Sequence, residues 1–397
     1  MIIFKTHFIP ENVAPVGTKE IEVTRANASG QPVRVGRVPL GSLDSGLTEG
    51  DHYYPVLVIS DTHVHEEDYP TATEDTERAL TYANDNCAFT VIAGDLVGTG
   101  GQYWQLENYA KLVAQYSPDK PVYAIAGNHE NYDGYSDGTR GFTLKDYTGY
   151  PLYYSFGVDR NGQQVEKDDE QTPREYGDSV SDVYVMVGHW GSYRGEGIGW
   201  VAGEFVTVEE LQWLYETLEA NRNKRCFVVT HVLPHAHGVG DPGKLYSSSP
   251  GKPLLWDVND GGVGQAFINL LCHYKNTLLI HGHTHTMLEL QEIDPKANYA
   301  EVRLTDGRSY KSLHVPSLAV PRDKVNGSLQ TVTKESEGIV MDIYPACVII
   351  NGRDFVDNAE DGHRIAAATY KIDTPIVMVE AGTFVDETGL IQTEVTA

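Results

Sequence analysis

Five short segments of the chain hold residue types that bind metal ions or move protons, and each follows an apolar run. "VLVIS" leads to Asp61-Thr62-His63, "TVIA" to Gly94-Asp95, and "YAIA" to Gly127-Asn128-His129-Glu130. "FVVT" leads to His231, and "LLI" to His281-Gly282-His283-Thr284-His285. Carboxylate, imidazole and amide groups offer lone pairs to divalent cations, and imidazole also transfers protons near neutral pH. Taken singly, each segment also reads as an ordinary turn. Asn and Gly supply turn dihedrals, Gly-Asp can open a helix, and a lone His after a strand is commonly structural. Five such endings, each after an apolar run, read together as one site. His283 and His285, two residues apart, are expected on one side of an extended chain.

The elements that must position these residues follow a strand–helix rhythm from residue 55. "YPVLVIS", "AFTVIAG" and "PVYAIAG" are apolar runs of strand length, separated by helical patterns over about 73–84 and over "QYWQLENYAKLVAQY". "VYVMVGHW", "RCFVVTH" and "NTLLIHGHTH" continue the strands, with helices expected over about 207–221 and 263–274. Such alternation predicts βαβ units around a parallel sheet, whose ligands bind beyond the carboxyl ends of the strands. All five endings should therefore face one crevice. The polar stretch 159–182 is expected to cross the surface between two strands, and the β-rich region after residue 286 to form a second sheet. "EIEVTRANASGQPVRVGRV" reads as a hairpin within an N-terminal β appendage over 1–50. Residues 372–397 read as a C-terminal β extension, leaving 51–371 as the main domain.

The chain of 397 residues has 41% hydrophobic residues and a formal charge of −26. A surface this acidic repels a phosphate backbone, which argues against a long nucleic acid as partner. It leaves room for a small phosphorylated substrate, because bound divalent cations invert the field locally. Cys87, Cys226, Cys272 and Cys347 lie far apart and read as thiols of a reducing compartment. With no secretory leader pattern and no membrane-length apolar run, the expected location is cytoplasmic and away from membranes.

In order and spacing, Asp61-x-His63, Gly94-Asp95, Gly127-Asn128-His129-Glu130, His231 and Gly282-His283-x-His285 resemble the series of the calcineurin-like metallophosphoesterases over roughly residues 55–290. That resemblance implies an α/β fold, a four-layer αββα sandwich of two mixed sheets flanked by helices. The β appendages would be additions at the termini. It also implies two divalent metal ions: Asp61, His63 and His285 on one, Asn128, His231 and His283 on the other, and Asp95 bridging both. His129 would face the substrate, stabilising the transition state or protonating the leaving oxygen. Mixed imidazole and carboxylate sets suit Mn, Fe or Zn better than Mg or Ca. Two cations about 3.5–4 Å apart can clamp a phosphoryl group and turn a bridging water into hydroxide for in-line attack.

Glu130 is expected to orient Asn128 or His129 through a hydrogen bond. One departure is visible. Many members of the family carry a second Asp, as GDxxD, where "GDLVG" has Gly98, so altered support around the site is expected. "GHWGSYRG", with His189 and Arg194, and "THVLPHAHG", with His235 and His237, read either as polar surface loops or as a substrate rim. The expected function is metal-dependent hydrolysis of a small phosphate mono- or diester. The alternative is a non-catalytic module of the same fold, docked into an assembly by its β extensions. Those extensions also offer surfaces for homo-oligomerisation or tethering.

Overall fold

The structure, a computed structural model, describes residues 8–10, 20–26, 32–39, 53–99, 102–131, 141–168, 171–188, 193–195, 199–201, 206, 208–232, 263–288, 302–303, 308–325, 328–331, 336–355 and 363–374. Near the N-terminus, Phe8–Pro10, Glu20–Ala26 and Pro32–Pro39 pair as a three-stranded antiparallel sheet, which contains the expected hairpin.

Twelve strands form two six-stranded mixed sheets. The first contains β1 (Tyr54–Ile59), β2 (Phe89–Ile92) and β3 (Val122–Ala124), paired in parallel. The second contains β4 (Tyr153–Val158), β5 (Gln164–Asp168), β6 (Asp182–Val187), β7 (Arg225–Thr230), β8 (Thr277–His281) and β9 (Ser312–His314). Its order is β9-β8-β7-β6-β4-β5, parallel from β9 to β6 and antiparallel beyond. Strands β10 (Glu337–Ile343), β11 (Cys347–Asp354) and β12 (His363–Asp373) extend the first sheet antiparallel from β1.

Two expectations are corrected here. The strands after residue 286 divide between the sheets: β9 completes the second, and β10 to β12 add to the first. The polar stretch 159–182 also contains an edge strand, β5. It is turned back on β4 at Asn161-Gly162, where Asp159 Oδ1 accepts the Asn161 and Gln163 N–H groups and Gly162 has φ +73°. An edge strand with one wet face needs no apolar run.

The layers follow from strands whose two faces are both covered. Val56 and Val58 of β1 turn inward to meet Tyr154, Phe156, Tyr184 and Phe227 of the second sheet. Leu57 and Ile59 turn outward under Leu80 and Ala83 of α1 (Ala72–Asn86) and Leu106 and Tyr109 of α2 (Tyr103–Tyr116). A further helix, α3 (Gly141–Thr148), adds Leu144 to this cluster. Across the molecule, Val183, Val185 and Val228 lie under α4 (Val208–Ala220) and α5 (Val263–His273). The result is helix, sheet, sheet, helix, with apolar contact between neighbouring layers.

At the N-terminal ends of the parallel strands a buried polar clamp ties the sheets. Arg225 Nε donates to Asp182 Oδ1 at 2.6 Å, and Tyr54 Oη donates to Asp182 Oδ2 at 2.8 Å. Arg225 Nη1 reaches the Tyr344 carbonyl at 2.6 Å and Thr374 Oγ1 at 3.1 Å. Removing one partner of a buried pair leaves the other charge unpaired, at a cost of about 3–5 kcal/mol. Arg225→Met is expected to lower the unfolding free energy by about that amount in urea titration, with partial recovery in Asp182→Asn/Arg225→Met. A loss within about 0.5 kcal/mol would show that the clamp is incidental.

Candidate metal centre

At the opposite end, the loops leaving β1, β2, β3, β7 and β8 meet. Asp61, His63, Asp95, His231 and His285 are buried together, with Asn128 beside them. Left-handed backbone helps to aim these side chains. Asp61 (φ +53°), His63 (+42°), Asp95 (+52°), His283 (+73°) and His285 (+58°) all adopt it, a conformation costing non-glycine residues about 1–2 kcal/mol each. Strain of this kind gathers at functional sites. It also corrects one expectation: His283 and His285 lie on a turn and not on an extended chain, with Thr284 N–H bonded to the Gly282 carbonyl; they enter different groups of donors, as the resemblance implies.

The first group is Asp61, His63, Asp95 and His285. His285 Nε2 lies 2.9 Å from Asp61 Oδ1 and 3.4 Å from His63 Nε2, which is itself 4.0 Å from both Asp61 Oδ1 and Asp95 Oδ2. The second is Asp95, His231 and His283. His231 Nε2 lies 3.0 Å from Asp95 Oδ2, 3.1 Å from Asn128 Oδ1 and 3.3 Å from His283 Nδ1. Asp95 is common to both groups.

Hydrogen bonds on the far side of the rings set which nitrogens face inward as lone pairs. His231 Nδ1 is 2.7 Å from the Ala93 carbonyl, so it carries the proton and leaves Nε2 free to coordinate. His63 Nδ1 lies 2.7 Å from Glu66 Oε2, which likewise points an Nε2 lone pair inward. Burial, followed by the neighbouring His231, pushes His283 down to about 3, and burial pushes His285 down to about 4. Both are therefore neutral at pH 7. Burial works to raise the carboxyls of Asp61 and Asp95, but the adjacent imidazoles hold both well below the usual carboxylate range.

Two anionic and several neutral donors thus aim at one small volume. Bond lengths near 2.1 Å would set neighbouring ligand atoms about 3 Å apart and opposite ones about 4 Å, which is the spacing seen here. The residues fit divalent cations. Burial works to lower His231 and His63, but Asp95 and Asp61 raise His231 to about 9, and Glu66, Asp95 and Asp61 raise His63, so part of the carboxylate charge is offset by protons that a cation would displace.

His129 lies on the open side. Its N–H donates to Asp95 Oδ1 at 2.8 Å, its Nδ1 is 2.8 Å from the Gly98 carbonyl, and its Nε2 is 3.9 Å from Asp95 Oδ2. Its ring meets His63 edge-on at 4.4 Å. Glu130 departs from its expected role. It accepts Asp95 N–H and Gly127 N–H on Oε2, and Leu96 N–H and Val97 N–H on Oε1, bracing the loop that carries Asp95. Gly98 also finds its reason: a Cβ there would come within 2.7 Å of Glu66 Cβ, and the Glu66 carboxylate lies 3.9 Å from His129 Nδ1.

A family model described as calcineurin-like phosphoesterase matches residues 54–287, which spans all of these donors. The chain belongs to the calcineurin-like phosphoesterase family. No curated protein matches it. Among solved structures it is similar to a purple acid phosphatase from yellow lupin (Lupinus luteus) seeds, at 12% identity and a TM-score of 0.44, over 90% of this chain and 60% of that one. The chain therefore spans about 60% of the length of the lupin protein. It is also similar to GAP50, the anchor in the inner membrane complex of Plasmodium, at 12% identity and a TM-score of 0.44, over 80% of this chain and 88% of that one. Vps29 of Chaetomium thermophilum follows at 10% identity and a TM-score of 0.30, over 81% and 98%.

Of the other residues that the sequence singles out, His189, His235 and His237 lie outside the described residues, as does the side chain of Arg194, whose backbone pairs with Trp200. Sequence reading missed Glu66, three residues after His63, and the pair formed by Tyr69 and Arg322. The Tyr69 ring meets His63 edge-on at 5.5 Å, its side chain hydrogen-bonds Arg322, and the Arg322 N–H donates to the His285 carbonyl at 2.7 Å. Glu66 was findable by its spacing, whereas Arg322 comes from a distant segment with no motif. Among the described residues, no helix is long and apolar enough to cross a membrane.

The close approach of the two sheets' loops at this site uses the missing side chains of Gly94 and Gly282. A Cβ on Gly94, which has φ +91°, would lie 2.7 Å from His231 Nδ1, and one on Gly282 would lie 2.7 Å from Asp61 Oδ2 and overlap the Ser60 side chain. Gly282→Ala is expected to weaken Mn²⁺ binding at least about tenfold by calorimetry, since displaced support of a metal site typically costs 10–100-fold. Its far-ultraviolet circular dichroism should stay unchanged. Unaltered affinity would mean that the close approach is not needed.

Proposed function

We propose that this phosphoesterase hydrolyses an ester of a small phosphorylated substrate with two divalent cations of the Mn, Fe or Zn type. Asp61, His63 and His285 would hold one, Asn128, His231 and His283 the other, and Asp95 both. The observation that carries the reading is Asp95 Oδ2, which faces both donor groups while His129 stands on its exposed side. Bound cations would supply Lewis acidity toward the phosphoryl oxygens and acidify a water between them.

The chain's own residues contribute the rest. Asp61 and Asp95 fix two negative charges in a buried place, which would offset only part of the charge of two divalent cations and leave the site attractive to a phosphate anion. Asn128 adds a donor without adding charge, so its ion stays the stronger electrophile. The Gly98 carbonyl lies 2.8 Å from His129 Nδ1 and fixes the tautomer with the proton on Nδ1. In the imidazolium form, Nε2–H can stabilise the equatorial oxygens and pass its proton to the departing ester oxygen as the new P–O bond forms opposite. Arg322, held by Tyr69 beside His285, is a cation available to a phosphate oxygen.

The test is to load the full chain with Mn²⁺, measure bound metal and assay bis-p-nitrophenyl phosphate. Loss of a general acid typically costs 10²–10⁴-fold. His129→Ala should therefore lower kcat about a hundredfold or more while retaining the metal content of the native protein. A native chain that binds metal but turns over neither bis-p-nitrophenyl nor p-nitrophenyl phosphate would favour the non-catalytic module instead.

A further inference from the structure

The mechanism leaves one built feature unused, and it lies on the open edge of the centre. Most of the donor residues are buried, while His283 is half-buried and the side chains of His129 and Glu66 keep 18% and 21% of their surface. The centre therefore opens over His283, His129 and Glu66. Next along that edge comes His65, which is left-handed at φ +65° although it belongs to neither donor group. Its ring lies 5.2 Å from that of Trp104, in the first turn of α2. Trp104 is 50% exposed, one of three large hydrophobic side chains so exposed among the described residues.

This indole is held in place. Trp104 Nε1 donates to Gln102 Oε1 at 3.2 Å, and the same oxygen is 3.3 Å from Gln105 Nε2. The Gln105 amide also lies 3.4 Å from the His65 carbonyl and accepts the Thr99 N–H at 2.8 Å. Thr99 adjoins Gly98, whose carbonyl orients His129, and His65 is two residues from His63. The ring is thus keyed to the reactive histidine from one side and to the donor cluster from the other. A merely tolerated surface tryptophan needs no such network.

Resting on the phosphohydrolase reading, we propose that Trp104, backed by His65, is a specificity platform that stacks the planar aromatic group of the phosphoester substrate. The flanking charge decides what kind of group fits. Glu66 is half-buried there, and Glu67 and Asp68 are exposed. A second phosphate or other anion on the leaving group would be repelled, whereas an uncharged nucleobase or aryl ring loses nothing and gains the π contact. Stacking on an aromatic side chain is worth about 1–3 kcal/mol per base, or about 5- to 150-fold in affinity.

Calorimetry on the Mn²⁺-loaded protein separates the cases with matched pairs. Adenosine 5′-phosphate and ribose 5-phosphate differ only by the base, and phenyl phosphate and methyl phosphate differ only by an aryl ring. The aromatic member of at least one pair should bind about tenfold or more tighter, and the pair that discriminates identifies the source as nucleoside or aryl. Trp104→Ala should bring that ratio within about twofold of unity, and Trp104→Phe should retain most of it. Equal binding within both pairs by a protein that turns over bis-p-nitrophenyl phosphate would overturn the platform alone. So would a ratio that survives Trp104→Ala. Failure of every phosphate to bind, together with absent turnover, would overturn the phosphohydrolase reading and the platform with it.

Discussion

Donor atoms from two separate sheets share a volume only a few ångströms across, and the rest of the molecule is arranged around that constraint. Asp61, Asp95 and Asn128 leave the first sheet, and His231, His283 and His285 leave the second. They can meet because the sheets pack face to face with their parallel strands ending on the same side. Bare backbone at Gly94 and Gly282 lets a loop of one sheet touch side chains of the other.

Such a cluster is unfavourable unless its charges and lone pairs are answered. Two carboxylates are buried with imidazoles turned lone pair inward, on backbone that is left-handed at five donor positions. Several bonds hold the arrangement from behind. Glu130 gathers four backbone N–H groups around the Asp95 loop, and Ser317 Oγ donates to the Asp61 carbonyl at 3.0 Å. The Ala93 carbonyl and Glu66 set the tautomers of His231 and His63. The Arg225–Asp182 clamp secures the far ends of the same strands. The polypeptide thus holds the donors in place through its own bonds, the preorganisation that the function proposed above would use.

The site was legible in sequence because each donor set directly follows a buried strand, so an apolar run marked its address. The two-layer division was less legible. Nothing in the residues of β9 or of β10 to β12 names a sheet, and only long-range pairing decides which one each joins. Strand β5 was hidden by its charge, although Asn161-Gly162 carried the hairpin signal. Glu130 was assigned to its sequence neighbours when its partners lie on the Asp95 loop, because hydrogen bonds across the sheet leave no trace in spacing. Arg322 was silent for the same reason, since it meets His285 through tertiary contacts alone, and Trp104 likewise meets His65 from a distant helix.

The central claim is that Asp95 is shared by two cations. Metal content of the native chain and of Asp95→Asn, each loaded with Mn²⁺, freed of excess by dialysis and analysed by mass spectrometry, tests it most directly. The account predicts two equivalents for the native chain and close to none for the variant. Retention of one full equivalent by Asp95→Asn would contradict the shared carboxylate, and with it the arrangement proposed for this centre.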